Sequence, residues 1–308
     1  MPPWYRFTPQ PAVAPGPPRH TPSYARYMSS STDDPPRDDA PRDDATSRQP
    51  SPPLEAFADL AFLRSPDARL IRVAAELLEP RYRLEREGIE DTIVFFGSAR
   101  IPSPEATQDP DSNPDLHPGL ANLSRYYADA QELARRLTEW SIQRPGDRQF
   151  VVCSGGGPGV MEAANRGASE AGGPSIGFGI AIPHEQSINE WVTPDLAFLF
   201  HYFFLRKFWF LYAAKALVYF PGGFGTLDEL MEVLTLVQTK KVRKPMGIVL
   251  YGSEFWNNIL NLDLMVEHGV ISPEDRDLFV ICDDVEDATQ KICGFLEENY
   301  GPTLLLGE

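Results

Sequence analysis

Short apolar, β-branched segments alternate with helical segments along most of this chain, and this alternation constrains the fold more than any other feature. Six segments have the length and composition of buried strands: 92–96, 150–153, 175–182, 216–220, 246–251 and 278–282. Segments with helical periodicity lie between or after them: 122–140, 160–171, 226–238, 255–268 and 285–299. Strands that alternate with helices form βαβ units, whose parallel sheet is buried on both faces. The sequence therefore predicts an α/β fold, a doubly wound, mostly parallel Rossmann-like sheet with helices on both faces.

Proline is concentrated at the start of the chain. Residues 1–53 hold 14 of the 30 prolines, and their six Arg balance their six Asp. Because such a segment has few aliphatic residues to bury, we expect a disordered tail over 1–53 and a single Rossmann-like domain over 54–308. The formal net charge of −16 then belongs to the domain. This acidity disfavours a nucleic-acid partner, which needs clustered Lys and Arg, but helix N-termini and loop amides can still bind a small anion.

Cysteine usage and the N-terminal sequence bear on the compartment. Cys153, Cys282 and Cys293 are an odd number of cysteines without metal-like spacing, so the sequence predicts neither a disulfide framework nor a metal site. The first residues lack the apolar core of a secretory signal. A cytoplasmic protein is the expectation.

An aromatic segment, residues 196–212, has nine aromatic side chains among 17 residues and invites comparison with a membrane span. Arg206 and Lys207 lie near its middle, however, and each would cost about 2.5 to 3.5 kcal/mol at the centre of a bilayer. We therefore predict a strand or loop that runs into a buried helix, and no membrane partner. An alternative for the two cations is that the exposed edge of this helix falls there.

Three glycine-rich loops directly follow predicted strands. They are Gly-Ser-Ala-Arg at 97–100, Ser-Gly-Gly-Gly-Pro-Gly at 154–159 and Pro-Gly-Gly-Phe-Gly-Thr at 221–226. Because the carboxyl ends of parallel strands form the ligand crevice of a doubly wound sheet, we expect the loops to meet at one edge. Glycines let backbone amides approach an anion, and a following helix adds its positive end, so phosphate is the natural ligand. The alternative is that the loops are tight turns that pack helix against strand.

Two large nucleotide-binding classes do not fit these loops. A dinucleotide fingerprint counted from Gly155 has Val160 at its third glycine position, and one counted from Gly157 has Glu162. No Gly-Lys-Ser/Thr follows any of the loops, so a Walker A motif is absent as well. Dehydrogenases and P-loop nucleotidases are therefore disfavoured. Thr226 and Glu229 also fit a capping box, a purely structural alternative for that carboxylate.

The string Pro-Gly-Gly-Phe-Gly-Thr-Leu-Asp-Glu at 221–229 resembles the P-G-G-x-G-T-x-x-E motif of the LOG ("lonely guy") proteins. Arg206 and Lys207 begin fifteen residues before Pro221 and resemble the R-K pair of that family. The resemblance spans roughly residues 93–296. Plant members carry M-H-x-R-K, whereas this chain has His-Tyr-Phe-Phe-Leu-Arg-Lys at 201–207, which is closer to the longer bacterial subgroup.

The resemblance implies a nucleoside 5′-monophosphate phosphoribohydrolase, often mislabelled a lysine decarboxylase. Such an enzyme hydrolyses the N-glycosidic bond of AMP or a cytokinin riboside 5′-monophosphate, giving the free base and ribose 5-phosphate. The resemblance also implies that the enzyme uses no cofactor and that it forms a homodimer or a higher homo-oligomer. A non-catalytic nucleotide or cofactor carrier on the same fold is the alternative.

The resemblance also implies roles for individual residues. Glu229 would stabilise the oxocarbenium-like sugar and accept a proton from water, while Arg206 would orient Glu229 and polarise the sugar or base. The substrate-binding residues implied are Gly97, Ser98, Gly156, Gly157, Gly159, Glu185, Lys207, Gly222, Gly223, Gly225, Thr226 and Thr235. For Glu185 and Thr235, a surface or packing role is the alternative.

Overall fold

The computed structural model describes residues 53–108, 117–144, 149–182 and 188–301. Seven parallel strands in this part of the chain form one sheet in the order β4-β3-β2-β1-β5-β6-β7. The strands are β1 Asp91–Phe96, β2 Phe150–Ser154, β3 Ser175–Ile180, β4 Ala197–Phe200, β5 Ala214–Tyr219, β6 Gly247–Tyr251 and β7 Val280–Cys282. The predicted doubly wound, Rossmann-like fold is confirmed.

Helices cover both faces of the sheet, because strand side chains alternate between two apolar cores. Ile93 and Phe95 of β1 belong to one core, and Val94 and Phe96 belong to the other. The helices are α1 Leu60–Arg64, α2 Arg69–Arg86, α3 Pro104–Gln108, α4 Pro118–Ala121, α5 Arg125–Gln143, α6 Val160–Glu170, α7 Phe203–Ala213, α8 Phe224–Gln238, α9 Ser253–Ile259, α10 Leu262–Glu267 and α11 Val285–Tyr300. Buried side chains of α5, α6 and α11 fill the first core, and those of α2, α7 and α8 contribute to the second.

The strand order reverses at the centre of the sheet. The chain runs outward from β1 through β2 and β3 to β4, and then returns to place β5 on the other side of β1. The crevice of a doubly wound sheet opens at this kind of switch point, beyond the carboxyl ends of the strands. All three glycine-rich loops follow strands at this place, namely β2, β1 and β5.

The aromatic segment folds as a strand that runs into a helix, as predicted. Strand β4 is followed by α7, whose Trp209 and Phe210 are almost fully buried. Other aromatic side chains of α7 remain half exposed: Phe203, Phe204, Phe208 and Tyr212. Among the described residues, no helix is both long and apolar enough to cross a bilayer.

Several predicted elements differ in their bounds from those of the structure. Strand β3 ends at Ile180 instead of at residue 182, and β7 starts only at Val280 because a 3₁₀ helix occupies Pro273–Leu278. The helix predicted over 255–268 is two helices, α9 and α10. Asn261 lies between them, and its side chain accepts a hydrogen bond from the Leu264 amide and so caps α10.

Contacts from Glu55 onward group into one unit. The disordered tail that we predict over residues 1–53 lies, apart from Pro53, outside the described residues. The division into tail and domain remains a prediction.

Candidate active site

Backbone hydrogen bonds join the three glycine-rich loops. The Ser98 amide in the first loop donates to the Pro221 carbonyl in the third, over 3.0 Å. The Val160 amide, which follows the second loop, donates to the Ser98 carbonyl over 3.2 Å. The first loop therefore lies between the other two, as the prediction that they meet at one edge requires.

Glycine is necessary where the first two loops cross. Gly159 has φ +69°, and a Cβ added there would lie 2.4 Å from the Ser98 carbonyl oxygen. A Cβ on Gly97 would lie 2.6 to 2.8 Å from three atoms of the Val160 side chain. Any larger residue at either position would push the first loop away from α6.

A cavity of ≈ 800 Å³ opens at this junction. Eight of the residues that the sequence assigns to the site line it: Gly97, Ser98, Arg206, Gly222, Gly223, Gly225, Thr226 and Glu229. Strand order explains the assembly, since β2, β1 and β5 are neighbours and carry the loops to one edge. The cavity is large enough for a nucleotide, because ligand sites usually measure about 300 to 1,000 Å³.

The other predicted site residues that the structure describes are not among those that line the cavity. Gly156, Gly157 and Gly159 form the turn between β2 and α6 and are not among the residues that line the cavity in the described structure. Thr235 is exposed, and its hydroxyl donates to the Met231 carbonyl one turn earlier, over 2.7 Å. Glu185 lies outside the described residues.

Lys207, the last predicted site residue, is not among the residues that line the cavity in the described structure. Its ammonium contacts Asp228 Oδ2 at 2.8 Å and Glu232 Oε2 at 2.7 Å. Asp228 borders the cavity, whereas Glu232, like Lys207, lies outside its lining. Burial opposes the charged form, but the hydrogen bonds to these carboxylates raise the pKa of Lys207 overall. The neighbouring Arg206 lines the cavity instead, because adjacent residues project about 100° apart around a helix.

The capping box that we considered for Thr226 and Glu229 is wrong. Helix α8 begins at Phe224, two residues earlier than predicted, and Gly223 is its N-cap with no side-chain cap hydrogen bond. Thr226 thus lies within the first turn and Glu229 in the second. The carboxylate is too far along the helix to bond the cap amide, so capping does not explain it.

Glu229 is buried and incompletely paired. Its side chain lines the cavity although the residue is only 6% exposed, and Oε2 has no hydrogen-bond partner in the described part of the chain. Burial raises the pKa of Glu229 to about 7, against the opposing influence of Lys207 and Arg206. A carboxyl that titrates near neutral pH suits general acid–base chemistry.

Arg206 is held rigidly at the cavity wall. Its Nε donates to the Phe178 carbonyl on β3 over 2.6 Å, and its guanidinium lies over the Phe210 ring, 5.0 Å from the centroid. A Cβ added to Gly155 would lie 2.6 Å from Arg206 Nη2, so glycine makes room for the guanidinium. The result is a fixed positive charge in the cavity that contains Glu229.

The start of α8 presents backbone amides to the same space. Since no side chain caps this helix, its first N–H groups have no intrahelical acceptor. A Cβ on Gly223 or Gly225 would meet no atom within 4 Å, which shows that both face open space. The helix N-terminus is therefore accessible to an anion in the cavity.

Comparison with known proteins agrees with these motifs. The sequence model of a family described as "Possible lysine decarboxylase" matches residues 161–292. The rice protein named "Probable cytokinin riboside 5′-monophosphate phosphoribohydrolase LOG4" is 28% identical over 174 residues, which are 56% of this chain and 71% of that protein. Arabidopsis thaliana LOG3, a cytokinin riboside 5′-monophosphate phosphoribohydrolase, is 36% identical over 90 residues, 29% of this chain and 39% of that protein. The chain is therefore similar to the LOG family over the segment that carries both motifs.

A solved structure of similar fold is the Moco carrier protein of Chlamydomonas reinhardtii. It is 19% identical, has a TM-score of 0.42, and is matched over 68% of this chain and 99% of that one. In the present structure, the P-G-G-x-G-T-x-x-E motif covers the third loop and the first turns of α8, and the R-K pair lies on α7.

We did not predict from the sequence a buried polar network that lies beneath the second loop. The Ser154 hydroxyl donates to Asn165 Oδ1 over 2.6 Å, and both residues are fully buried. Asn189 Nδ2 donates to the same Oδ1 and to the Gly157 carbonyl, each over 3.0 Å. This network fixes the loop from behind. Its one sequence signal is a polar residue, Asn165, on the face of α6 that is otherwise made of small, buried residues.

Arg100 is a further residue that sequence reasoning left out. It belongs to the first loop and lines the cavity, with its backbone amide 3.1 Å from Ser98 Oγ. The available signal was a cation three residues beyond a glycine that directly follows a central strand. The resemblance to the LOG motifs drew attention to Lys207 instead.

Proposed function

We propose that this chain is a cytoplasmic, cofactor-free nucleoside 5′-monophosphate phosphoribohydrolase. It would hydrolyse the N-glycosidic bond of a purine nucleoside 5′-monophosphate, AMP or a cytokinin riboside 5′-monophosphate, to the free base and ribose 5-phosphate. One observation carries the proposal. A buried carboxyl group with an unpartnered oxygen and a pKa near 7 lies beside a fixed arginine in a cavity formed by three glycine-rich loops.

The 5′-phosphate would bind at the start of α8. The N–H groups after Gly223 lack intrahelical acceptors, and the positive end of a 15-residue helix favours a dianion. The same loop requires glycine at position 222, because a Cβ on Gly222 would lie 2.1 Å from Thr226 Oγ1. Phosphate held in this way would position the sugar against Glu229, so binding energy would be used for orientation.

The chemistry would centre on the anomeric carbon. Cleavage of the bond from C1′ to the base leaves positive charge on the sugar, and the Glu229 carboxylate would stabilise it electrostatically. The same carboxylate would accept a proton from the water that adds to C1′, and this proton would then pass to the departing base, which leaves as the neutral free base. Arginine stays protonated in proteins, so Arg206 would act as a fixed charge that orients Glu229 and polarises the sugar or base.

The base would lie against the apolar wall of the cavity. This wall includes Leu120, Leu123, Phe255 and Ile259 from segments that follow β1 and β6. Planar, weakly polar purines suit such a surface, and an apolar substituent on the base would bury further area there. The curated relatives carry names that specify cytokinin riboside 5′-monophosphate as their substrate.

A homodimer is part of the proposal. Phe204, Phe208 and Tyr212 recur every four residues along α7 and are 57%, 43% and 53% exposed, so they form one apolar stripe on the helix surface. A stripe of this kind is typical of a subunit interface. Light scattering on the full chain, beside a Phe208→Glu variant that should dissociate, tests it.

Base release tests the reaction. Purified protein is incubated separately with AMP, GMP, CMP and isopentenyladenosine 5′-monophosphate, and free base and ribose 5-phosphate are measured. Glu229→Gln is the inactivating variant. Glu232→Gln is its matched control, since Glu232 lies one turn further along α8 and pairs with Lys207.

The outcomes separate the alternatives. Release of a purine base by the wild type and the control, but not by Glu229→Gln, is the expected result. If no substrate releases base although AMP binds by calorimetry, the chain is a nucleotide carrier and the hydrolase proposal fails. Release that survives Glu229→Gln would keep the reaction and reject the catalytic assignment.

A further inference from the structure

The phosphate end of the proposed site needs a cation that the family motif does not supply. A nucleoside monophosphate carries a charge between −1 and −2 at neutral pH. Lys207, the candidate from the R-K pair, is not among the residues that line the cavity in the described structure, and its ammonium contacts Asp228 and Glu232. Its charge is therefore already paired within the protein.

Arg100 occupies the required place. It is the other cavity-lining cation besides Arg206 among the described residues. Its side chain is exposed, and in the described part of the chain the guanidinium has no ion-pair partner. Ser98, two residues earlier, is joined to both other loops through its backbone, so Arg100 emerges where the three loops meet.

The local charge balance calls for this second cation. Glu229 must ionise to stabilise a cationic sugar, but a phosphate dianion in the same cavity opposes that ionisation. Arg206 is already committed to the Phe178 carbonyl and the Phe210 ring. An unpaired guanidinium with a planar array of donors can bind phosphate oxygens in a bidentate manner and offset their charge.

We propose that Arg100 is the phosphate-binding cation of this site and that it makes the protein select 5′-monophosphates over unphosphorylated nucleosides. The inference rests on the proposed function for the identity of the ligand. It assigns to Arg100 a role that neither the motif nor the R-K pair assigns.

Calorimetric titration with ribose 5-phosphate tests the assignment without requiring turnover. Arg100→Ala should weaken binding about 10- to 100-fold, because it removes charge-assisted hydrogen bonds. Arg100→Lys should restore part of the affinity by keeping the charge without the bidentate geometry. Arg243→Ala is the matched control, since Arg243 is an exposed cation beside a separate groove and not at the cavity, and it should bind like the wild type.

Kinetics provide a second readout. Arg100→Ala should raise KM for AMP and lower the ratio of kcat/KM for AMP to that for adenosine by a similar factor, with the value for adenosine unchanged. A structural defect would instead lower kcat/KM for AMP and for adenosine by the same factor, and that result would overturn the assignment.

Three further results would overturn it: unchanged ribose 5-phosphate affinity in Arg100→Ala, an equal loss in Arg243→Ala, or an equal loss in Lys207→Ala. Failure of the proposed reaction gives a different pattern. The wild type would then bind ribose 5-phosphate in an Arg100-dependent manner but release no base from any nucleotide.

Discussion

Charged side chains of α7 and α8 lie on two sides: Arg206 and Glu229 line the cavity, whereas Lys207 and Glu232 lie on an outer side. The two sides differ in how completely their charges are paired. On the outer side, Lys207 lies within 2.8 Å of both Asp228 and Glu232, so its charge is matched. On the cavity side, Glu229 is buried with one carboxyl oxygen unpartnered in the described structure. The outer charges are used in holding the helices together, whereas burial without a full set of partners leaves Glu229 near its titration point and available for chemistry.

The largest expected effect is on turnover. Glu229→Gln should lower kcat by about 10²- to 10⁴-fold, the usual contribution of a general acid or base. Glu232→Gln should stay within a few-fold of the wild type, because its carboxylate faces Lys207 and not the cavity. Initial rates of base release measure both. Equal losses in the two variants would erase the distinction between the two sides.

Stability should change in the opposite direction. Because the folded protein raises the pKa of Glu229 from 4.5 to about 7, it favours the neutral form, and that stabilisation is lost as the pH rises through about 7. Glu229→Gln cannot ionise, so its free energy of unfolding should exceed that of the wild type by about 3 kcal/mol at pH ~9 and differ little at pH ~4.

Urea denaturation at those two pH values measures the difference, with Glu232→Gln as the control on the outer side. A Glu229→Gln variant no more stable than the wild type in alkali would mean that Glu229 ionises without cost. The burial argument for its reactivity would then fall.

The comparison can be extended to two uncharged side chains, the buried Asn165 and the exposed Asn258. Asn165→Ala would leave the buried Ser154 hydroxyl and Asn189 amide without their shared partner, at a cost of about 1 to 3 kcal/mol in unfolding free energy. Asn258→Ala removes an exposed side chain that bonds the Glu254 carbonyl, so it should change stability by less than about 0.5 kcal/mol. Thermal unfolding of both variants checks that Asn165→Ala is the more destabilised one. Equal shifts of Tm in the two variants would contradict this prediction.

The smallest expected effect is a shift in the pH profile. If ionised Glu229 is the active form, kcat/KM should rise with pH through a midpoint near 7, the pKa of this carboxyl. Lys207 lowers that pKa, so Lys207→Ala should move the midpoint upward, by less than about one unit because the separation and solvent weaken the coupling. A downward shift would contradict the arrangement of charges.

Sequence patterns predicted the parallel sheet and the meeting of its three loops because both follow from local alternation and from the direction of parallel strands. Orientation around a helix was harder to predict. Arg206 and Lys207 are adjacent in the motif, and only the packing of α7 decides which of them reaches the cavity. The start of α8 was also misplaced, because Phe224 and Gly225 are poor helix formers and their exposed positions carry no apolar pattern that would mark the first turn.

Two residues near the site, Asn165 and Arg100, were not predicted for a related reason. Asn165 matters through partners that are distant in sequence, Ser154 and Asn189, and no periodicity encodes those contacts. Arg100 has no motif around it, and its importance depends on the cavity that the loops enclose. Tertiary neighbours, which a single sequence does not list, account for both omissions.

The loops at the switch point are joined by main-chain groups, Ser98 to Pro221 and Val160 to Ser98. The wall opposite them consists of interchangeable apolar side chains on segments outside the sheet. The apolar wall can therefore change during evolution without disturbing the loops. Leu120, Leu123, Phe255 and Ile259 can vary in size to admit a different base, while the backbone contacts that fix the loops remain. Diversification of such a scaffold should proceed through its wall, leaving the loops as the inherited part.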